Sequence, residues 1–309
     1  MPVVLPDSLP AAAALAEENI FVMSEARART QDIRPLRILM VNLMPAKETT
    51  ETQVSRLLAN SPLQVKMDLL KTATHESRHA EPAHLAAFYK TFAEVKENRY
   101  DGMIITGAPV ETLEFEKVDY WAELVEILDW SATHVYSVLY VCWGALAGLH
   151  HHYGIGKTVL DQKLSGVYRH RVVRHGNPLL RGFDDEFFMP QSRHAGIDLA
   201  GLAACPALRV LADGKESGPA ILSVENGRRI FVTGHPEYDR GTLDAEYRRD
   251  IGKGMDVPVP VNYYENNDPA RRPVFRWRSH AHLLYQNWLN YYVYQSTPYD
   301  LADLPPLTV

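Results

Sequence analysis

Cysteine is scarce in this chain of 309 residues: Cys142 and Cys205 are the two it has. Two cysteines exclude a disulfide framework and a four-cysteine metal site built from this chain alone, and they fit a reducing cytoplasm. Basic charge is also short. Lys and Arg number 32 against 38 Asp and Glu, a net charge of −6, which excludes the basic surface of a nucleic-acid coat. No apolar run approaches the roughly 18 residues of a membrane span. The start, Met1-Pro2-Val3-Val4-Leu5-Pro6-Asp7, lacks a basic region, and the Ala11–Ala14 tract soon meets Glu17 and Glu18, so a signal peptide is not expected. Repeats, low-complexity tracts and a clear linker are missing too. The composition, 46% hydrophobic and 23% charged, is that of an ordinary soluble globular chain.

What is present is an alternation of strand and helix patterns. Residues 1–35 read as an N-terminal extension with one helix from Leu9 to about Met23, and residues 36–309 as a single domain. Near-continuous apolar runs at Arg37–Met44, Val65–Leu70, Tyr100–Gly107 and Val135–Val141 predict strands buried on both faces. Helical patterns at Glu48–Leu58, His84–Glu97 and Tyr120–Trp130 lie between them. This order predicts right-handed βαβ units and an α/β fold with a mainly parallel sheet flanked by helices. Pro219–Val224 and Arg229–Thr233 flank Glu225-Asn226-Gly227-Arg228, and Asn-Gly predicts a hairpin. Thr242–Gly252 reads as a helix, and Ser279 as the cap of a last one reaching Tyr294.

The strand ending at Val141 breaks sharply at Cys142-Trp143-Gly144-Ala145 into a helical stretch. Such an elbow lifts the residue at the break out of the sheet and turns the first free helix N–H groups toward it. A helix N-terminus stabilises negative charge on a sulfur placed there, and its N–H groups can hold an oxyanion during acyl transfer. His235 follows another strand, with Glu237 two residues on, the spacing that puts both side chains on one side of extended backbone. A carboxylate beside an imidazole fixes its tautomer and leaves the far nitrogen to take a proton. Cys142, His235 and Glu237 are therefore the candidate nucleophile, base and orienting acid. They and the Gly107-Ala108-Pro109 turn are expected at carboxyl ends of strands, where sites of open parallel sheets lie.

Val41-Asn42-Leu43-Met44-Pro45, Gly107-Ala108-Pro109, Val141-Cys142-Trp143, Lys163–Tyr168, Pro190–His194, Gly234–Asp239, Glu246–Asp250 and Asn287–Tyr294 occur in order along nearly the whole chain. In these stretches the chain resembles the homoserine O-acyltransferases of methionine biosynthesis. The resemblance implies a class I glutamine-amidotransferase-like fold, flavodoxin-like and three-layered, with terminal additions. It implies a ping-pong reaction in which Cys142 takes the acyl group of an acyl-CoA and L-homoserine, deprotonated by His235, receives it. Backbone N–H groups of Trp143 and of Val110 are the expected oxyanion hole. The family pattern assigns substrate contacts to Lys163, Ser192 and Arg249, the last suited to a carboxylate by its planar fork. It also implies a cytoplasmic homodimer that needs no cofactor, with acetyl-CoA and homoserine as substrates.

Donor choice turns on one side chain. Family members that transfer succinyl tend to carry glycine just after Gly-Ala-Pro-x, and those that transfer acetyl carry glutamate; this chain has Glu111. A second carboxylate near the succinyl carboxylate repels it by about 1 kcal/mol at 4 Å in water and about 4 at an effective dielectric near 20. Acetyl-CoA is therefore the expected donor, with succinyl transfer, a cysteine hydrolase or glutamine amidotransferase, and a non-catalytic relative as the alternatives. No metal site is expected: His150-His151-His152 would face different directions on a helix. Cys205 reads as structural. Gly154–Thr158 lacks the spacing of a phosphate loop, and the arginines at 169, 171, 174, 271, 272, 276 and 278 read as solvated rather than as CoA contacts.

Overall fold

The structure is a computed structural model. It describes residues 3–307 apart from 19, 21, 29, 31, 32, 76–79 and 225. One twelve-stranded sheet runs through the molecule. Its strands are β1 (Val3–Leu5), β2 (Met23–Ser24), β3 (Leu36–Val41), β4 (Val65–Leu70), β5 (Tyr89–Lys90), β6 (Tyr100–Ile105), β7 (Val135–Val141), β8 (Lys157–Val172), β9 (Glu186–Ile197), β10 (Leu208–Gly214), β11 (Gly218–Val224) and β12 (Arg229–Val232). The order is β2-β1-β4-β3-β6-β7-β12-β11-β10-β8-β9, with β5 also beside β4. From β2 to β12 all neighbours are parallel; from β12 to β9 they are antiparallel.

Alternation along the central strands sorts the core into two layers. Ile38, Met40, Ile104, Leu139 and Val141 pack on one face with Tyr285 and Trp288 of the C-terminal helices. Leu39, Val41, Met103, Ile105, Val138 and Tyr140 pack on the other with Leu124, Ile127 and Trp143. Both faces are covered, which is why these strands read as unbroken apolar runs.

Several expectations need correction. The first helix is Pro10–Glu17 and stops well short of Met23, which belongs to β2; positions 19 and 21 between them lie outside the described residues. The segment His84–Glu97 is not one helix. It folds as a Pro82–Phe88 helix, β5, and a short Phe92–Val95 helix with a Thr91/Glu94 capping box. Tyr89 breaks it, because its hydroxyl donates to the buried Glu51 carboxylate at 2.6 Å and accepts from Asn42 at 2.8 Å. The last helix starts at Arg278 with Trp277, not Ser279, at its N-cap, and from Trp288 to Tyr294 it widens to π-helical turns. The Asn226-Gly227 hairpin forms as expected between β11 and β12, its residue 225 outside the described set. The long hairpin of β8 and β9 and the strand β10 have no counterpart in the sequence reading. Among the described residues no helix is long and apolar enough to cross a membrane.

Candidate active site

Three neighbouring parallel strands deliver the central residues. β6, β7 and β12 lie side by side, and the chain leaves their carboxyl ends as Gly107, Cys142 and His235. Cys142 stands between β7 and the Trp143–Tyr153 helix at φ 51°, ψ −117°, a region a side chain rarely occupies. Its N–H donates to Val232 O at 2.8 Å, so the elbow is tied to β12, the strand that leads to His235. The helix can start this close to β6 because residue 144 is glycine: a Cβ there would sit 2.7 Å from Thr106 O and 2.8 Å from Ile105 O. Gly107 is crowded to a lesser degree, since a Cβ would lie 3.1 Å from Cys142 Cβ and 3.2 Å from His235 Cε1.

His235 is fixed on three sides. Its backbone N–H donates to Pro190 O at 2.8 Å, Nδ1 meets Glu237 Oε1 at 2.7 Å, and its ring stacks on Tyr238. His235 and Glu237 are both buried. Burial alone would depress the imidazole pKa; the negative charge of Cys142, then that of Glu237, with hydrogen bonds donated to both, prevails and holds it well above the ordinary range. An imidazole bonded to Glu237 through Nδ1 presents Nε2 toward the sulfur side, the tautomer a general base needs.

A cavity of about 440 Å³ opens over Cys142. Its wall includes Pro109, Glu111, Lys163, Ser192, His194, His235, Tyr238, Glu246 and Arg249. Of the residues singled out in the sequence, Cys142, His235, Lys163, Ser192, Arg249 and Glu111 thus share one space. Glu237 stands behind His235. Trp143 N–H is among the first N–H groups of its helix, without intrahelical partners. Val110 lies outside the cavity lining, although Pro109 and Glu111 on either side of it belong there. Glu111 is buried, not solvated.

Lys163 lies on β8 and Ser192 on β9, neighbouring strands of the hairpin that the sequence did not disclose, where Ser192 pairs in register with Ser165. Arg249 comes from the Thr242–Gly252 helix. Three further residues complete the site. Asp250 binds Lys163 Nζ at 2.9 Å and Arg249 at 2.7 Å, and the two cations together hold its carboxyl below the usual range despite burial. Glu246 accepts from Ser192 Oγ at 2.5 Å and from Tyr238 at 2.7 Å. Arg193 is buried beneath, its guanidinium spent on Gln191, Ala195 O and Ser217 O; burial lowers its pKa, while attraction to Cys142 opposes that. Glu246 and Asp250 carried a signal, acids one helical turn apart beside Arg249. Arg193 carried none of its own: two of its partners, Gln191 and Ala195, lie on its own strand, and Ser217, 24 residues on, reaches it only through the fold.

The excluded features resolve individually. His150, His151 and His152 turn to Glu116, Asp129 and the Tyr140 hydroxyl respectively. Arg169 and Arg171 line a separate cavity with Lys215, and Arg271 and Arg272 pair with Asp268 and Glu265.

A family model for homoserine O-succinyltransferase matches residues 2–299. The homoserine O-acetyltransferase of Clostridium acetobutylicum is 55% identical over 301 residues, covering 97% of this chain and 100% of its own. The homoserine O-acetyltransferase of Methanomassiliicoccus intestinalis is 56% identical over 304 residues, covering 98% of this chain and 99% of its own. Among solved structures, a glutamine amidotransferase from Thermotoga maritima aligns over 83% of this chain and 98% of its own, with a TM-score of 0.53 at 13% identity. That last likeness establishes the class I glutamine-amidotransferase-like fold, a mixed sheet flanked by helices.

Proposed function

We propose that this chain, which belongs to the homoserine O-succinyltransferase family, is an acyl-CoA:L-homoserine O-acyltransferase that transfers acetyl by way of an acyl-cysteine at Cys142. The observation that carries the reading is the Cys142 elbow beside a buried His235–Glu237 pair, in a cavity whose far wall holds paired cations and carboxylates.

In the first half-reaction the Cys142 sulfur attacks the thioester carbonyl, with imidazolium at His235 as its counter-charge. The carbonyl oxygen becomes an oxyanion facing the helix N-terminus and the Trp143 N–H; an N–H of the 107–111 turn, Val110 in the sequence reading, is the second donor. The C–S bond to CoA then breaks, and the CoA sulfur leaves with the proton of His235. Losing one such donor costs on the order of 10²–10³ in rate.

Acylation itself prepares the second half-reaction. The largest influence raising the His235 pKa is the charge on Cys142, and a thioester carries none. Burial then pulls the imidazole toward its neutral form, which can remove the hydroxyl proton of homoserine as the oxygen attacks. The Cys142 sulfur leaves as thiolate, and His235 keeps the proton. Splitting the transfer this way lets one nucleophile serve two bulky substrates in turn.

For the acceptor, Arg249 and Lys163 offer positive charge to the carboxylate, and Glu246 offers an acceptor to the ammonium. Ser192 bridges to Glu246 and fixes its orientation. Glu111, buried in the same cavity, is the basis for choosing acetyl over succinyl. The product, O-acetyl-L-homoserine, is an activated homoserine for methionine biosynthesis. We take residues 36–309 as the catalytic unit, with 1–35 as an extension whose described strands add to the sheet edge. We also infer a cytoplasmic homodimer, supported by two unpaired cysteines and by exposed Tyr294 and Tyr299.

The test is intact-protein mass spectrometry with equal acetyl-CoA and succinyl-CoA, before and after adding L-homoserine. An acetyl adduct on Cys142 that homoserine discharges is the expected result. A succinyl adduct overturns the donor assignment, and no adduct in a folded protein overturns the mechanism.

A further inference from the structure

The cavity over Cys142 is too small for all of the donor. About 440 Å³ is toward the lower end for drug-sized ligands, enough for an acetyl group with homoserine. The diphosphate and adenosine of acetyl-CoA must lie beyond its mouth. Exposed residues of the lining mark that mouth: beside Pro109, Thr112 and Arg249 stand Lys253 and Met255.

Both stand where the Thr242–Gly252 helix ends. Met255 N–H donates to Asp250 O at 3.1 Å and Gly254 N–H to Ile251 O at 2.8 Å, with Gly254 at φ 74°. These paired bonds make a Schellman motif, which holds the turn in one conformation. In such a motif the residue after the glycine commonly packs an apolar side chain back onto the last helical turn. Met255 cannot. The residues it would cover, Arg249 and Asp250, are charged and bound to each other. Its side chain is instead 45% exposed, facing the cavity.

Charge points the same way. Of the cations lining this cavity, Lys163 and Arg249 are bound to Asp250. Lys253 has no carboxylate partner among the described residues. An exposed apolar side chain on a fixed turn, beside an uncommitted ammonium at the opening above a nucleophile, matches a ligand with a flexible amide arm followed by a phosphate anion.

We propose that Lys253 and Met255 dock the CoA portion of the donor, Met255 against the pantetheine arm and Lys253 against the diphosphate. The proposal rests on the acyl-CoA reading of the site. It also separates the donor's entrance from the arginine clusters at 169–174 and 271–278, none of which lines this cavity.

The experiment compares acetyl-CoA with S-acetyl-N-acetylcysteamine, a thioester that ends before the diphosphate. In Lys253→Glu, kcat/KM for acetyl-CoA should fall roughly ten- to a hundredfold, the range for a lost charge-assisted hydrogen bond, chiefly through KM. The truncated donor should change by less than about twofold on the same footing, which also reports that the variant is folded. Met255→Ser should weaken both donors, because both keep part of the arm. The dependence of wild-type kcat/KM on salt with acetyl-CoA should flatten in Lys253→Glu. An equal loss with both donors in Lys253→Glu, or no loss with acetyl-CoA, overturns the proposal. A wild-type enzyme that passes acetyl to homoserine from neither donor overturns the acyl-transfer reading instead.

Discussion

Tyr238 lies flat against His235, the ring centroids 4.1 Å apart and the planes inclined by 19°. The same phenol donates to Glu246 Oε1 at 2.7 Å, and the other Glu246 oxygen is held by Ser192. One buried side chain therefore joins the base to the acceptor wall. Burial, followed by the charge of Glu246, keeps the phenol protonated far above its ordinary range, so it acts as a fixed donor.

Tyr238→Phe keeps the stack and removes the bond. The expected result is a KM for homoserine raised roughly tenfold or more, for loss of a hydrogen bond to a charged group, with an unchanged burst of CoA release from the first half-reaction. Pre-steady-state release of CoA measures the latter. A burst slowed as much as turnover would place Tyr238 in acylation and remove the link argued here.

The pH behaviour of His235 has a definite sign. Its folded pKa is raised, since the Cys142 and Glu237 charges outweigh burial. The pair therefore adds stability that is fully present below about pH 6.5, the unfolded value, and is lost as pH rises through the folded value. Cys142→Ala removes the largest raising influence. Its His235 ring-proton titration, followed by NMR, should move to lower pH, and the alkaline loss of thermal stability should begin at lower pH too. A titration that stays at the wild-type position would mean that acylation cannot release the base in the way proposed.

Much of this site was legible because chemistry and topology agree locally. Cys142, His235 and Glu237 each follow a strand whose apolar run is plain, so their arrival at one sheet edge follows from the parallel order. The antiparallel half was not legible. β8 reads Lys157-Thr158-Val159-Leu160-Asp161-Gln162-Lys163 through its first part and is half exposed there, with no clean alternation to mark it. Lys163 and Ser192 were therefore named by resemblance, and their placement on facing strands had to come from the structure. Tyr89 shows the converse, a helical pattern broken by a buried hydrogen bond whose partner, Glu51, lies far off in sequence.

Asp250 should be a stabilising as well as a positioning residue. Burial would raise its carboxyl, but the bonds from Lys163 and Arg249 lower it. A depressed carboxylate contributes stability above its unfolded pKa near 3.9, and the contribution disappears as pH falls through the folded value. Asp250→Asn should cost about 1–3 kcal/mol at pH 7, with the gap to wild type closing toward pH 3 in thermal unfolding. The KM for homoserine should rise, because Arg249 and Lys163 lose the carboxylate that orients both. A variant with unchanged stability and unchanged KM would show that the two cations are held by something else.

Glu111 offers the sharpest change of function. It is buried in the wall that also holds Cys142, so an incoming succinyl carboxylate meets its charge at reduced dielectric. Repulsion of about 1 to 4 kcal/mol at 4 Å corresponds to a preference of roughly five- to several-hundredfold, since about 1.4 kcal/mol is tenfold. Glu111→Gly removes the charge and opens space at once; Glu111→Gln removes the charge and keeps the volume. Steady-state rates with both donors should show the succinyl-to-acetyl ratio rising in the glycine variant, with the glutamine variant in between. If the glutamine variant matches wild type while glycine switches the donor, volume and not charge governs the choice. If neither ratio moves, donor selection lies elsewhere in the cavity, and Glu111 is left with its electrostatic pull on Arg193 and Lys157 as its role.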